Sequence, residues 1–67
     1  MGHELGRRLR AFRKLKRLTQ QELALRAGVS LSVLGEIERG VRDADPRILA
    51  KIAEILQVQV AELTGER

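Results

Sequence analysis

The segment from Thr19 to Gly40, TQQELALRAGVSLSVLGEIERG, constrains the fold more than any other part of the chain. Helix starts and helix stops alternate in it at short intervals. Thr19 followed by Glu22 is a capping-box pattern: the hydroxyl accepts from one orphan N–H and the carboxylate reaches back to another. Gly28 stops that helix, because glycine tolerates the left-handed conformation that ends one. Ser30 then caps a second helix, Leu31 to Arg39, which Gly40 closes. Apolar residues at Leu23, Ala27, Val29, Leu34 and Ile37, with the small Ala24 and Gly28, give both helices a buried face. Two short helices joined by a tight turn are expected, with the first turn of the second left outside the core.

The flanking sequence supplies the rest of the core. Residues 4–16 read as a first helix, with Leu5, Leu9 and Phe12 forming one apolar stripe at helical period. After a polar loop, Val41–Asp45, the pair Asp45–Pro46 is an N-cap followed by a residue with preset φ at the first helical position. Ile48, Leu49, Ile52, Ala53 and Leu56 give the fourth helix its inner face. Val58, Val60 and Leu63 are assigned to a short fifth helix that closes the bundle. Gln59 is a poor N-cap, so this start is the least defined. The alternating VQV at 58–60 is too short to need a sheet.

Composition narrows the alternatives. A chain of 67 residues is one domain, 1–67, and buries only about 60% of its unfolded surface. With no Cys there is no disulfide and no thiolate metal site. A single His, His3, cannot make a zinc site alone, so no metal and no cofactor are expected. With Phe12 the only aromatic residue, stability must rest on packed aliphatic helices. No run approaches the ~18 apolar residues of a membrane span, and the N-terminus lacks the apolar core of a secretory signal. The expectation is a soluble cytoplasmic protein without membrane contact. An enzyme is not expected: Ser30 and Ser32 have no neighbouring base, and no phosphate-binding glycine loop is present.

The net charge of +4 is unevenly placed. Residues 1–17 carry a balance of +6 and residues 18–67 one of −2. The basic excess therefore sits in the first helix, where Arg7, Arg8, Arg10, Lys14 and Lys16 form either a solvated face or a phosphate-facing one. Clustered positive charge attracts polyanions. An uncommitted helix start, as at Leu31, can enter a DNA groove.

Taken together, LGRRLRAFRK, LTQQELALRAGVS, IERG and ILAKIAEILQVQVAEL resemble the Cro/C1-type (XRE) helix-turn-helix family of phage and bacterial repressors. The resemblance runs from Leu5 to Leu63, with the motif itself at about 20–39. It implies an all-α, compact five-helix, lambda-repressor-like domain that binds double-stranded DNA as a homodimer. The function implied is a transcriptional repressor of bacterial or phage type, associated with the nucleoid.

Specific residues follow. Gln20 begins the second helix, where unpaired N–H groups and the dipole favour a phosphate, and in the family the matching Gln contacts one. The resemblance implies that Leu31, Ser32, Gly35 and Glu36, on the outward face of the third helix, look at base edges. None of these four makes the bidentate bonds that read guanine or adenine. Arg39 and Arg42 flank Gly40 and are read as phosphate contacts, as are Arg10 and Arg17. Arg13 and Glu38 are implied to form a structural ion pair between the first and third helices.

Some positions depart from the family pattern. Arg17 stands where a helix-ending Gly is common, and a positive φ there costs roughly 1 kcal/mol. Leu15 and Leu25 replace residues that are usually polar, and with Leu31 they form a candidate apolar surface. This keeps a second function open: a protein-interaction module on the same fold, antitoxin-like or coactivator-like. Dimerisation is expected either through Val60 and Leu63 of the fifth helix or through a further C-terminal part.

Overall fold

The computed structural model describes residues 3–65; the remaining termini of the expected 1–67 unit lie outside them. The chain forms five helices: α1 His3–Leu15, α2 Gln20–Ala27, α3 Leu31–Arg39, α4 Pro46–Leu56 and α5 Val60–Thr64. Among the described residues there is no strand, and no helix is long and apolar enough to cross a membrane. α1 packs on α3 and α5, α2 on α3 and α4, and α4 on α5.

The caps are where the side-chain chemistry puts them. Thr19 Oγ1 accepts from Glu22 N at 3.0 Å, and Glu22 accepts from Thr19 N at 2.8 Å. The hydrogen bond from Thr19 N holds the Glu22 carboxyl below its ordinary value of 4.5. Ser30 Oγ accepts from Val33 N, and Asp45 Oδ1 from Arg47 N. α5 is capped from within: the Glu62 carboxylate accepts from Gln59 N at 2.8 Å. Val58 lies in the turn before α5 rather than in the helix. Its N–H bonds Ala53 O instead.

Four helices end in the same way, with a left-handed residue followed by a 6→1 bond: Arg17, Gly28, Gly40 and Gln57 hold φ between 59° and 80°. Leu18, Val29, Val41 and Val58 then donate to Arg13, Ala24, Glu36 and Ala53 carbonyls. Two of the four left-handed residues carry a Cβ that this conformation penalises by roughly 1–2 kcal/mol. Arg17→Gly is therefore expected to stabilise the chain by about 1 kcal/mol, raising Tm by about 4–8 °C. Arg17→Ala, which removes the charge but keeps the Cβ, should leave Tm nearly unchanged. Equal gains in both variants, read by thermal melts, would mean that charge relief and not backbone strain is the cause.

Leu9, Leu23, Leu34, Ile37, Ile52, Leu56 and Leu63 are fully buried at the centre, each contributing about 1.5–3 kcal/mol over an exposed position. Leu63 is thus core, and only Val60 of the pair expected at a dimer contact is exposed. A five-residue helix needs an anchor in the core to be held at all, and Leu63 supplies it.

Candidate nucleic-acid interface

The two helices of the central motif are locked by one carboxylate. Glu38, in the last turn of α3, accepts from Arg13 Nε at 2.7 Å (Oε2) and Arg13 Nη2 at 3.1 Å (Oε1). Its Oε1 also accepts from Gln20 Nε2 at 2.9 Å. The third arm of the Arg13 guanidinium, Nη1, donates to Leu18 O at 2.8 Å. The side chains of Arg13 and Glu38 are 10% and 3% exposed. A bidentate pair of this kind fixes orientation as well as distance. α1, the turn after it, α2 and α3 thus converge on Glu38. No buried side-chain polar atom among the described residues lacks a hydrogen-bond partner.

Gly6 brings α1 close enough for this. A methyl group there would stand 2.3 Å from Glu38 O and 2.8 Å from Ile37 O, so helix meets helix backbone to backbone. Sequence reasoning missed Gly6. Inside a helix, glycine signals only a propensity penalty.

Gln20 begins α2, where the backbone N–H groups of Gln20 and Gln21 have no partner among the described residues. Its side-chain amide is half-buried and turned inward on Glu38, leaving one amide hydrogen for an outside acceptor. On α3, Leu34, Ile37 and Glu38 face inward and Leu31, Ser32 and Arg39 are exposed. Leu31 keeps 49% of its surface.

Two of the expected base-facing residues differ from the simple outward picture. Gly35 is buried, and one guanidinium nitrogen of Arg39, Nη1, stands beside it. Without a side chain, Gly35 offers a flat bed and no functional group of its own. Glu36 is half-buried and paired with Arg42, Nε to Oε1 at 2.6 Å, across the αL residue Gly40. That contact neutralises both a candidate base reader and a candidate phosphate contact in the unbound protein. At this exposure an ion pair contributes only about 0–1 kcal/mol and exchanges readily.

Among the α1 cations, Arg7 and Arg8 are held by Glu4. Their hydrogen bonds, Arg7 first, lower the Glu4 pKa from its ordinary value. Arg10, Lys14, Lys16 and Arg17 are exposed and form no ion pair among the described residues. Arg10 and Lys14 lie on the side of α1 that carries Gly6 and Arg13, next to α3. Leu15 and Leu25 are exposed at 73% and 81%. No group of three or more His, Asp or Glu suited to a metal occurs among the described residues.

The helix-turn-helix family model matches residues 9–63. The chain is 50% identical over 58 residues to the HTH-type transcriptional regulator YazB of Bacillus subtilis, covering 87% of this chain and 84% of that one. It is 39% identical over 62 residues to the immunity repressor protein of Bacillus phage phi105, covering 92% of this chain but only 43% of the repressor. Among solved structures, the restriction-modification controller protein C.AhdI from Aeromonas hydrophila superposes with a TM-score of 0.88 at 35% identity, covering 92% and 94% of the two chains. The biofilm master regulator SinR in complex with DNA gives a TM-score of 0.84 at 36% identity, covering 90% and 97%. Cap pattern, five-helix packing and these likenesses agree: the chain belongs to the helix-turn-helix family of XRE, Cro/C1 type, a family of transcriptional regulators.

Proposed function

We propose that this chain binds double-stranded DNA as a homodimeric transcriptional repressor, with α3 in the major groove. One observation carries the reading. α3 is anchored through Leu34, Ile37 and Glu38, with Val33 packed against the core, while Leu31 and Ser32 at its start stay exposed beside an α2 N-terminus with unpaired N–H groups. A helix so mounted fits the groove, which is about 12 Å wide. The adjacent amides and the positive dipole end suit a phosphate. Gln20, Arg10, Arg17 and Arg42 are the phosphate contacts in this reading, and Leu31, Ser32 and Glu36 meet base edges. Leu31 suits a thymine methyl and Glu36 a cytosine amine, once Arg42 has exchanged its carboxylate for a phosphate. The longest dimension of the described residues is 28 Å, so two copies fit side by side at the ~34 Å spacing of successive major grooves.

Salt titration tests this. With Arg10, Arg17 and Arg42 of both copies on phosphates, affinity for a selected operator should fall about 1,000-fold between 50 and 200 mM salt. An affinity that stays flat across that range sinks the phosphate-driven mechanism. The competing interaction-module reading draws on exposed Leu15 and Leu25. It predicts no mobility shift with random DNA even at low salt.

A further inference from the structure

We propose that Arg39 reads a base rather than a phosphate, and that it selects guanine in the major groove from a bed formed by Gly35. The inference rests on the DNA-binding reading above. Gly35 lies four residues before Arg39 and three after Ser32, so the three are neighbours on the surface of α3. Helical side chains lean towards the N-terminus of their helix. Arg39 follows this rule. Its Nη1 comes within 3.3 Å of where a Gly35 methyl would stand, and no atom of another helix comes within 4 Å of that point. The side chain therefore reaches back along α3, with its tip Nη1 beside Gly35, one turn nearer the leading end of the helix than its own Cα.

Its chemistry completes the face. Leu31, Ser32 and Glu36 include no bidentate donor, whereas a guanidinium matches guanine O6 and N7 with two parallel bonds. Arg39 is also uncommitted. Arg13 is spent on Glu38 and Arg42 on Glu36, but Arg39 makes no ion pair or side-chain hydrogen bond among the described residues. A methyl group at position 35 would push Nη1 back by a few tenths of an ångström, and a longer side chain would push it further. Glycine there leaves the plane of Arg39 free to lie along the helix.

Selection from a random duplex pool, repeated with Arg39→Lys, Arg39→Ala and Gly35→Ala, tests the assignment. The protein as it stands should enrich a site with an invariant guanine in each half. Arg39→Lys keeps the charge and loses the fork, so preference for that guanine should fall between about 5- and 150-fold with the salt slope unchanged. Gly35→Ala should weaken the same preference while raising Tm by about 4–8 °C, since Ala is the better helix former. The proposal is overturned if the enriched site has no such guanine, or if Arg39→Lys retains the full preference. It is equally overturned if Arg39→Ala weakens all sequences alike and reduces the salt slope by about two, one for each copy. Failure of the unmodified protein to enrich any DNA at low salt would instead refute DNA binding itself, and this proposal with it.

Discussion

Glu38→Ala is expected to destabilise the chain by about 3–5 kcal/mol, because it strands the Arg13 guanidinium in a site 10% exposed. A chain of 67 residues has a total stability on the order of 3–10 kcal/mol. The variant should therefore be partly or wholly unfolded at 25 °C, visible as a collapsed urea midpoint. Arg13→Ala should be milder. It also abandons the Leu18 carbonyl, but it leaves a carboxylate that still accepts from Gln20. Replacing both members by apolar residues of similar volume, Arg13→Met with Glu38→Leu, should recover most of the loss, since neither charge is then left without its partner. A loss below about 1 kcal/mol in Glu38→Ala would mean that water reaches Arg13 and that the pair is a surface contact in energetic terms.

Gly6→Ala is the second large effect, and its sign runs against helix propensity. In an open helix the exchange gains about 1 kcal/mol. Here the added methyl meets two backbone carbonyl oxygens, at 2.3 and 2.8 Å, which cannot rotate away. α1 has to withdraw from the last turn of α3, a strain of about 1–3 kcal/mol that also lengthens the Arg13–Glu38 contact. Gly35→Ala provides the control within the same protein. Its only close neighbour is the far end of the flexible Arg39 side chain, so the same chemical change should stabilise. Urea midpoints moving in opposite directions would verify the contrast; equal shifts would show that α1 and α3 do not approach so closely.

These two glycines also mark how far the sequence is legible. Signals that act through a residue's own neighbours were readable: Thr19 with Glu22, Ser30, Gly28, Gly40 and Asp45–Pro46 place the edges of α2, α3 and α4. α1 begins and ends one residue earlier than the stripe Leu5–Leu9–Phe12 indicated, an offset typical of helix ends. Features that depend on what another helix brings were not readable. Gly6 has meaning only against the Glu38 carbonyl, and the inward turn of Gln20 only against the Glu38 carboxylate. The Glu36–Arg42 pair spans six residues, outside helical spacing, and exists because Gly40 turns the chain back. Gln57 gave no sign of its left-handed backbone. Nothing in a glutamine calls for φ of 60°, and the 6→1 bond from Val58 imposes it. Arg13 and Glu38 were singled out only through family likeness, because neither their separation nor their charge distinguishes them from other ion pairs.

The shared carboxylate of Glu38 has a dynamic consequence. Lifting α1, α2 or α3 away on its own leaves part of that buried network without a counterpart, so partial opening has no stable intermediate. Amide protons along all three helices should consequently exchange with solvent deuterium at one common rate set by whole-domain unfolding. α5, which lies outside that network, ends at Thr64 and holds to the core through Leu63, is left to breathe independently.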